Sequence, residues 1–200
     1  MVTADVFVHP SAQVEEGATI HSGTRVWGYA QIRSGATVGS GCILGRNAFI
    51  DAGVTLGANC KVQNNALVYA PATLADGVFI GPAAVITTDV NPRAVNPDGS
   101  LKSGLDWDAP GVRIGRGAAV GANATIVAGV TVGQWALIAA GAVVAADVLD
   151  HALVAGVPAR RVGWVGHHGV RLVGQSGDGW RCPVDGTVYD EGPAGLHVRG

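Results

Sequence analysis

Every sixth residue from Val8 to Ile86 is aliphatic, without a miss: Val8, Val14, Ile20, Val26, Ile32, Val38, Leu44, Ile50, Leu56, Val62, Val68, Leu74, Ile80 and Ile86. The series breaks and resumes as Ile114, Val120, Ile126, Val132, Ile138 and Val144. A spacing of six fits neither the 3.6-residue period of a helix nor the two-residue alternation of a strand. It marks a solenoid in which each short strand forms one flat side of a coil. Three hexads close a triangular turn of 18 residues, so twenty hexads predict between six and seven coils. The chain reads as all-β: a parallel β-helix with one long protruding loop and a short C-terminal extension.

The rest of the hexad agrees. Four residues after each aliphatic stands a small residue, for example Ala12, Ala18, Thr24, Ala30, Ala36, Cys42, Ala48 and Cys60. Between them Gly or Asn recurs at Gly17, Gly23, Gly35, Gly41, Asn47, Gly53, Asn59, Asn65 and Gly77. These residues best tolerate positive φ, which a tight corner demands. The 31 glycines therefore serve corners, not a flexible linker. Cys42 and Cys60 lie 18 residues apart and should stack on neighbouring coils as core thiols. Cys182 stands alone in the tail, and a lone cysteine makes no zinc site.

Two hundred residues suit one domain with a tail: a β-helix over 1–164 and an extension over 165–200. Residues 89–112 interrupt the repeat with three prolines, and Ile114 follows Ile86 by 28 residues, not a multiple of six. A long loop in so regular an array is expected to wrap a neighbouring surface or cover a ligand. The net charge of -2, with no basic run, argues against nucleic acid as a partner. With no charged-then-apolar leader and no long apolar segment, the expected setting is the cytoplasm, without a membrane contact.

Several segments exceed what the hexad pattern requires. GANATIVAGVTVG within 121–133, AGAVVAADV within 140–148 and HALVAGVPARRVGW over 151–164 resemble the hexapeptide-repeat acyltransferases. VFVHPSA (6–12), GTRVWGYAQI (23–32), KVQNNALVY (61–69), GPAAVITTDVNPRA (81–94) and CPVDGTVY (182–189) narrow the resemblance to one subfamily. It comprises N-acetyltransferases of nucleotide-linked 3-amino sugars, such as those acting on UDP-2-acetamido-3-amino-2,3-dideoxyglucuronate.

The resemblance implies a left-handed β-helix, a homotrimer, and acetyl-CoA as co-substrate with no metal. The coenzyme's pantetheine arm would lie along the final coils, receiving backbone N–H groups of Ala122 and Ala140. Arg160 and Arg161 would meet its phosphates by charge and planar multi-donor geometry. The acceptor would be a UDP- or dTDP-linked amino sugar destined for a polysaccharide or glycoconjugate. Asn64, Thr88 and Asp89 are the candidates for catalysis, and Gln31, Gln63, Asn65 and Arg93 for holding the sugar nucleotide. Asn65 also occupies a Gly/Asn corner position; Asn64 does not, which makes it the stronger candidate. The chain departs from the subfamily at two places. It has Trp27-Gly28-Tyr29-Ala30-Gln31 where the pattern is Trp-His-Phe-x-His, and Thr88 where Asn is usual.

Histidine placement bears on the acceptor. No histidine lies between residues 22 and 150. Transfer to a hydroxyl needs a base, normally an imidazole. A sugar amine flanked by oxygens resembles an α-amino group, of pKa about 7.7–8.0, and is partly neutral already. It needs positioning more than a base, so the sequence favours nitrogen. His21 from an adjacent subunit would reverse this. O-acetyl transfer and a non-catalytic scaffold are the competing readings. A zinc hydrase would need three converging imidazoles that the central coils do not supply.

Overall fold

The computed structural model describes every residue except 4, 105, 107–108 and 175–178. From Phe7–Val8 to Val143–Val144 the chain forms a series of two-residue strands, which sort by threes into three parallel sheets. The first sheet collects the strands that begin at Phe7, Arg25, Ile43, Lys61, Phe79, Ala119 and Leu137. The second collects those from Gln13, Gln31, Phe49, Leu67, Val85, Thr125 and Val143. The third collects those from Thr19, Thr37, Thr55, Thr73, Arg113 and Thr131. Each residue pairs with the one 18 further on, as Val8 with Val26 and Leu44 with Val62. Across the insertion Leu74 pairs with Ile114 and Ile80 with Val120, so the coil resumes in register after the loop. The fold is a left-handed parallel β-helix.

The solenoid outruns the periodic signal. A seventh coil closes on a bridge between Val132 and Val148, and Leu153 then pairs with Leu137 to open another. Val148 follows Val144 by four residues instead of six, and that shortened corner hides the continuation from a strict count.

The second residue of each strand points inward. Ile32, Leu44, Ile50, Val62 and Ile80 are fully buried. Thr24, Cys42, Cys60 and Val78 are all buried at the equivalent corner position of successive coils. The Thr24 hydroxyl donates to the Gly39 carbonyl at 2.9 Å and accepts the Cys42 N–H at 3.1 Å. Both cysteines are free and buried, each thiol directed at a carbonyl 3.2 Å away. The neighbouring Cys42 sulfur and burial push the Cys60 thiol up. Left-handed corners fall on the expected Gly and Asn positions, with Tyr29, Ala83 and Trp135 as exceptions at φ of 61°, 55° and 56°. A bulky residue held there is strained unless its side chain has a use.

The three outer surfaces differ. The first residues of the third sheet's strands are mainly threonines. Those of the second form a column running Gln31, Phe49, Leu67, Val85, Thr125 and Val143. Both ends of the core are covered. Val2 bridges to Ile20 at the N-terminal end, where a covering lead-in was expected. At the other end a hairpin, Ala152–Gly156 with Ala159–Trp164, leads into an antiparallel sheet of Val173–Gly174, Trp180–Arg181, Val188–Gly192 and Gly195–Val198. No helix of the described residues is long and apolar enough to cross a membrane.

His151 joins that sheet to the coil. Its Nδ1–H donates to the Val165 carbonyl at 2.9 Å, and its ring stands 5.1 Å from Tyr189 and 5.2 Å from His167. Burial holds its pKa below the usual imidazole range, the nearby His167 adding to the shift and Asp150 opposing it. Folding therefore favours the neutral ring. The stability this provides is present above about pH 6.5 and lost as pH falls through the folded pKa. Melting should be lower at pH 5 than at pH 7.5, and His151→Asn, which also tolerates positive φ, should flatten the difference. An unchanged slope in that variant would assign the pH dependence elsewhere.

Candidate functional site

Three edges run along the prism, and the one between the first and second sheets carries most of the polar and aromatic side chains of interest. Successive coils place residues 9–11, 27–29, 45–47, 63–65, 81–83, 121–123 and 139–141 along it. Over the first four coils it opens into a cleft of about 650 Å³ lined by His9, Trp27, Gly28, Tyr29, Arg46 and Asn64. Trp27 is 42% exposed and Tyr29 62%, unusual for large aromatic rings. Arg46 lies over the Tyr29 ring, 5.2 Å from its centroid. Tyr29 thus combines a strained backbone with an exposed ring that nothing in the core requires.

His9 closes one side of this cleft. Its Nδ1 is 2.9 Å from the Ser11 hydroxyl, and a Cβ built on Gly28 would stand 3.2 Å from Nδ1 and 3.0 Å from Ser11 Oγ. The imidazole therefore lies against the position where the subfamily pattern places a histidine. The sequence argument that no imidazole reaches the groove fails at this edge, because His9 arrives from the preceding coil.

Further along the same edge stand Ala122 and Ala140. The N–H of Asn123 donates to the Pro82 carbonyl and that of Gly141 to the Ala122 carbonyl. The N–H groups of Ala122 and Ala140 themselves have no acceptor among the described residues. Equivalent corner N–H groups elsewhere are capped: Ala58 by Asp76 and Gln134 by Asp150, each at 2.7 Å, and Arg46 by Asn64 at 2.8 Å. Only Pro82, Ala122 and Ala140 occupy the middle of the corner here, so no long side chain covers these donors. With coils about 4.8 Å apart, Ala122 is roughly 10 Å along the edge from Asn64.

The other candidates are distributed differently. Gln63 and Asn65 share the edge with Asn64. Asn65 has a φ of 60° and accepts from Asn47 Nδ2 at 3.0 Å, which makes it part of a corner ladder. Asn64 also has a structural duty, because its Oδ1 caps the Arg46 N–H; its preference over Asn65 on that ground does not stand. Gln31 sits on the outer side of the second sheet, its Nε2 3.4 Å from Glu15, within an ion group that also contains Arg33 and Asp51.

Thr88 and Asp89 lie on the next edge. They line a cavity of about 810 Å³ with Asp51, Tyr69 and Thr87, and Pro92 and Ala109 of the long loop complete its wall. The loop covers a cavity, one of the two roles expected of it. Arg93 is exposed, donates to the Pro92 carbonyl and lines neither cleft. Within one chain Asn64 and Thr88 are therefore not brought together.

Arg160 and Arg161 line a third cavity of about 370 Å³ at the C-terminal end of the coils, with Val144, Asp147 and Leu149. Both are exposed; Arg161 stacks on Trp164 at 4.1 Å. Sequence reasoning missed His9, Trp27, Tyr29 and Arg46 as cleft residues. Tyr29 carried a legible signal, a bulky ring at a Gly/Asn corner position. No group of His, Cys, Asp and Glu among the described residues is arranged to hold a metal ion.

Comparison with known proteins follows this geometry. A family model described as the hexapeptide repeat of succinyl-transferase matches residues 35–70, and one described as bacterial transferase hexapeptide (six repeats) matches 111–146. No curated protein matches the sequence. Among solved structures, a variant of perosamine N-acetyltransferase from Caulobacter crescentus, in complex with CoA and GDP-perosamine, is 24% identical at a TM-score of 0.48. The match covers 79% of this chain and 56% of that one. The acetyltransferase domain of PglB from Neisseria gonorrhoeae, in complex with acetyl coenzyme A, is 25% identical at a TM-score of 0.48, over 79% and 58%. The chain thus spans little more than half the length of these two structures. A hexapeptide transferase family protein from Anaplasma phagocytophilum is 15% identical at a TM-score of 0.52, over 82% and 84%, and supports the fold. The six-residue repeat, its two model matches and the coil it builds place the chain in the hexapeptide-repeat family.

Proposed function

We propose that the chain is an acyl-CoA-dependent N-acetyltransferase, moving acetyl from acetyl-CoA to the amino group of a nucleotide-linked amino sugar, a 3-amino sugar first among these. The observation that carries this reading is the shared edge. An open aromatic and basic cleft lies in line with two uncapped N–H groups one coil apart, and the track ends near paired arginines. The N–H groups suit the amide carbonyls of an extended pantetheine arm. Arg160 and Arg161 suit its phosphates. Trp27 and Tyr29 suit a planar base, and Arg46 a diphosphate.

The reaction is direct attack. The neutral amine adds to the thioester carbonyl, backbone N–H groups receive the developing oxyanion, and the C–S bond breaks. The coenzyme thiolate leaves and takes up the proton lost from nitrogen. Asn64, whose side-chain NH₂ is not used by the corner, is placed to hold the acceptor.

A homotrimer packed on the second sheet would complete the site. Phe49, Leu67, Val85 and Val143 give that surface an apolar column. Its two bounding edges are the cleft edge and the loop edge, so threefold rotation sets one copy's Asn64 edge beside the next copy's Thr88 and Asp89. His21 stands on the remaining edge, away from that junction. A second reading, transfer to a hydroxyl, is favoured by one observation: His9 in the cleft offers a base.

The test is thiol release from acetyl-CoA with a panel of UDP- and dTDP-linked 3-amino sugars, 4-amino sugars and their hydroxyl counterparts. Turnover with an amino sugar is expected, and His9→Asn should retain most of it. Turnover with hydroxyl acceptors alone, abolished in that variant, would replace N-transfer by O-transfer. No release with any acceptor would leave a scaffold.

A further inference from the structure

The C-terminal sheet takes no direct part in the transfer proposed above, yet its contacts converge on one arginine of the adjoining hairpin. In a regular strand, residues three apart point to opposite faces. Arg161 and Trp164 share a face, the guanidinium 4.1 Å from the indole centroid. The pairing explains this. Leu153 faces Gly163 while Val154 faces Arg161, so Val162 is an extra residue, a β-bulge. Such an insertion re-aims the side chains that flank it.

Two groups of the C-terminal extension hold this arrangement. The Arg171 guanidinium donates to the carbonyl of Val162, the bulged residue itself. It lies so close that a Cβ on Gly163 would stand 2.7 Å from its Nε, so glycine is required there. Glu191 holds the ring: one carboxylate oxygen accepts the Trp164 indole N–H at 3.2 Å and that of Trp180 at 3.0 Å. An indole donating to a carboxylate has a more electron-rich face, which strengthens its hold on a cation. Arg161, stacked by its face, keeps its N–H edge free for an anion.

We propose that the C-terminal sheet is an aiming device for Arg161, with Glu191, Trp164 and Arg171 as positioning residues for the phosphate end of the coenzyme. This rests on the acyl-transfer reading, and the experiment separates the two. Coenzyme A binding is measured by calorimetry on the full chain and on Glu191→Ala, Trp164→Phe, Arg161→Ala and the Glu191→Ala/Arg161→Ala pair. Melting curves serve as the control for folding.

Glu191→Ala and Trp164→Phe, which keeps the ring but loses its N–H, should each weaken binding about fivefold, within the range of a partly desolvated cation–π contact. Neither should change kcat/KM for S-acetylpantetheine, which lacks the phosphates. Glu191→Ala should add nothing in the Arg161→Ala background. Wild-type affinity in Glu191→Ala beside a weakened Arg161→Ala would overturn the aiming role and leave the transfer reading intact. Wild-type affinity in Arg161→Ala would also overturn it, because Arg161 would not meet the ligand. Absence of coenzyme binding by the unaltered chain would remove the transfer reading itself.

Discussion

Proline at positions 122 and 140 will leave the coil folded and weaken acetyl-CoA binding by about tenfold per site. The backbone already accepts this substitution, since Pro10 and Pro82 occupy the same corner position in the first and fifth coils. The N–H groups to be deleted have no acceptor within the described chain, so no native hydrogen bond is lost. Proline in a compatible conformation lowers the entropy of the unfolded chain, and melting should hold or rise slightly. The loss falls on the ligand alone. A hydrogen bond of about 1–1.5 kcal/mol corresponds to roughly a factor of ten in affinity. Calorimetric titration of Ala122→Pro, Ala140→Pro and the pair, beside their melting curves, tests this directly. A folded double variant with wild-type affinity would show that the coenzyme does not use this edge.

Ile50→Ala is the substitution with the largest expected effect on stability, about 4 kcal/mol, against about 1 kcal/mol for Val8→Ala. Ile50 is fully buried in the third coil and pairs with Ile32 below and Val68 above. Removing its side chain loses transfer free energy and leaves a cavity that rigid neighbouring coils cannot fill. In a solenoid each coil contacts only its neighbours, so a central coil loses packing on two sides. Val8 lies in the first coil and is only half-buried. Guanidinium denaturation of the two variants gives the difference. Equal losses would mean that the coil ends are as constrained as the middle.

The hexad pattern was sufficient for the coil because a six-residue period leaves one way to bury an aliphatic at every repeat. Strand, corner and inward face then follow for each position, and the Gly/Asn corners confirm the phase. The pattern failed where the phase changed. Val148 comes two residues early, so the end of the solenoid was underestimated. It also carried no information about the extension, whose contacts with the coil run through Asp150, His151 and Tyr189.

Functional residues were legible in proportion to how local their signal was. Ala122 and Ala140 were placed on one edge by their spacing of 18 alone, and the structure adds that their N–H groups are uncapped. Asn64 and Thr88 looked like members of one constellation because sequence reasoning does not say which edge a residue reaches. Sequence positions 64 and 88 fall after strands of different sheets, and no single chain can join them.

By itself, the sequence determined the architecture, the inward side of every strand and the positions of the strained corners, because each follows from a period and a steric rule acting within one hexad. Only the tertiary structure decided that His9 lies against Gly28, that Tyr29 faces Arg46, and that a bulge at Val162 sets Arg161 on Trp164. These depend on the stacking of residues 18 apart and on one unpaired residue in a hairpin, and neither leaves a mark in the order of side chains along the chain.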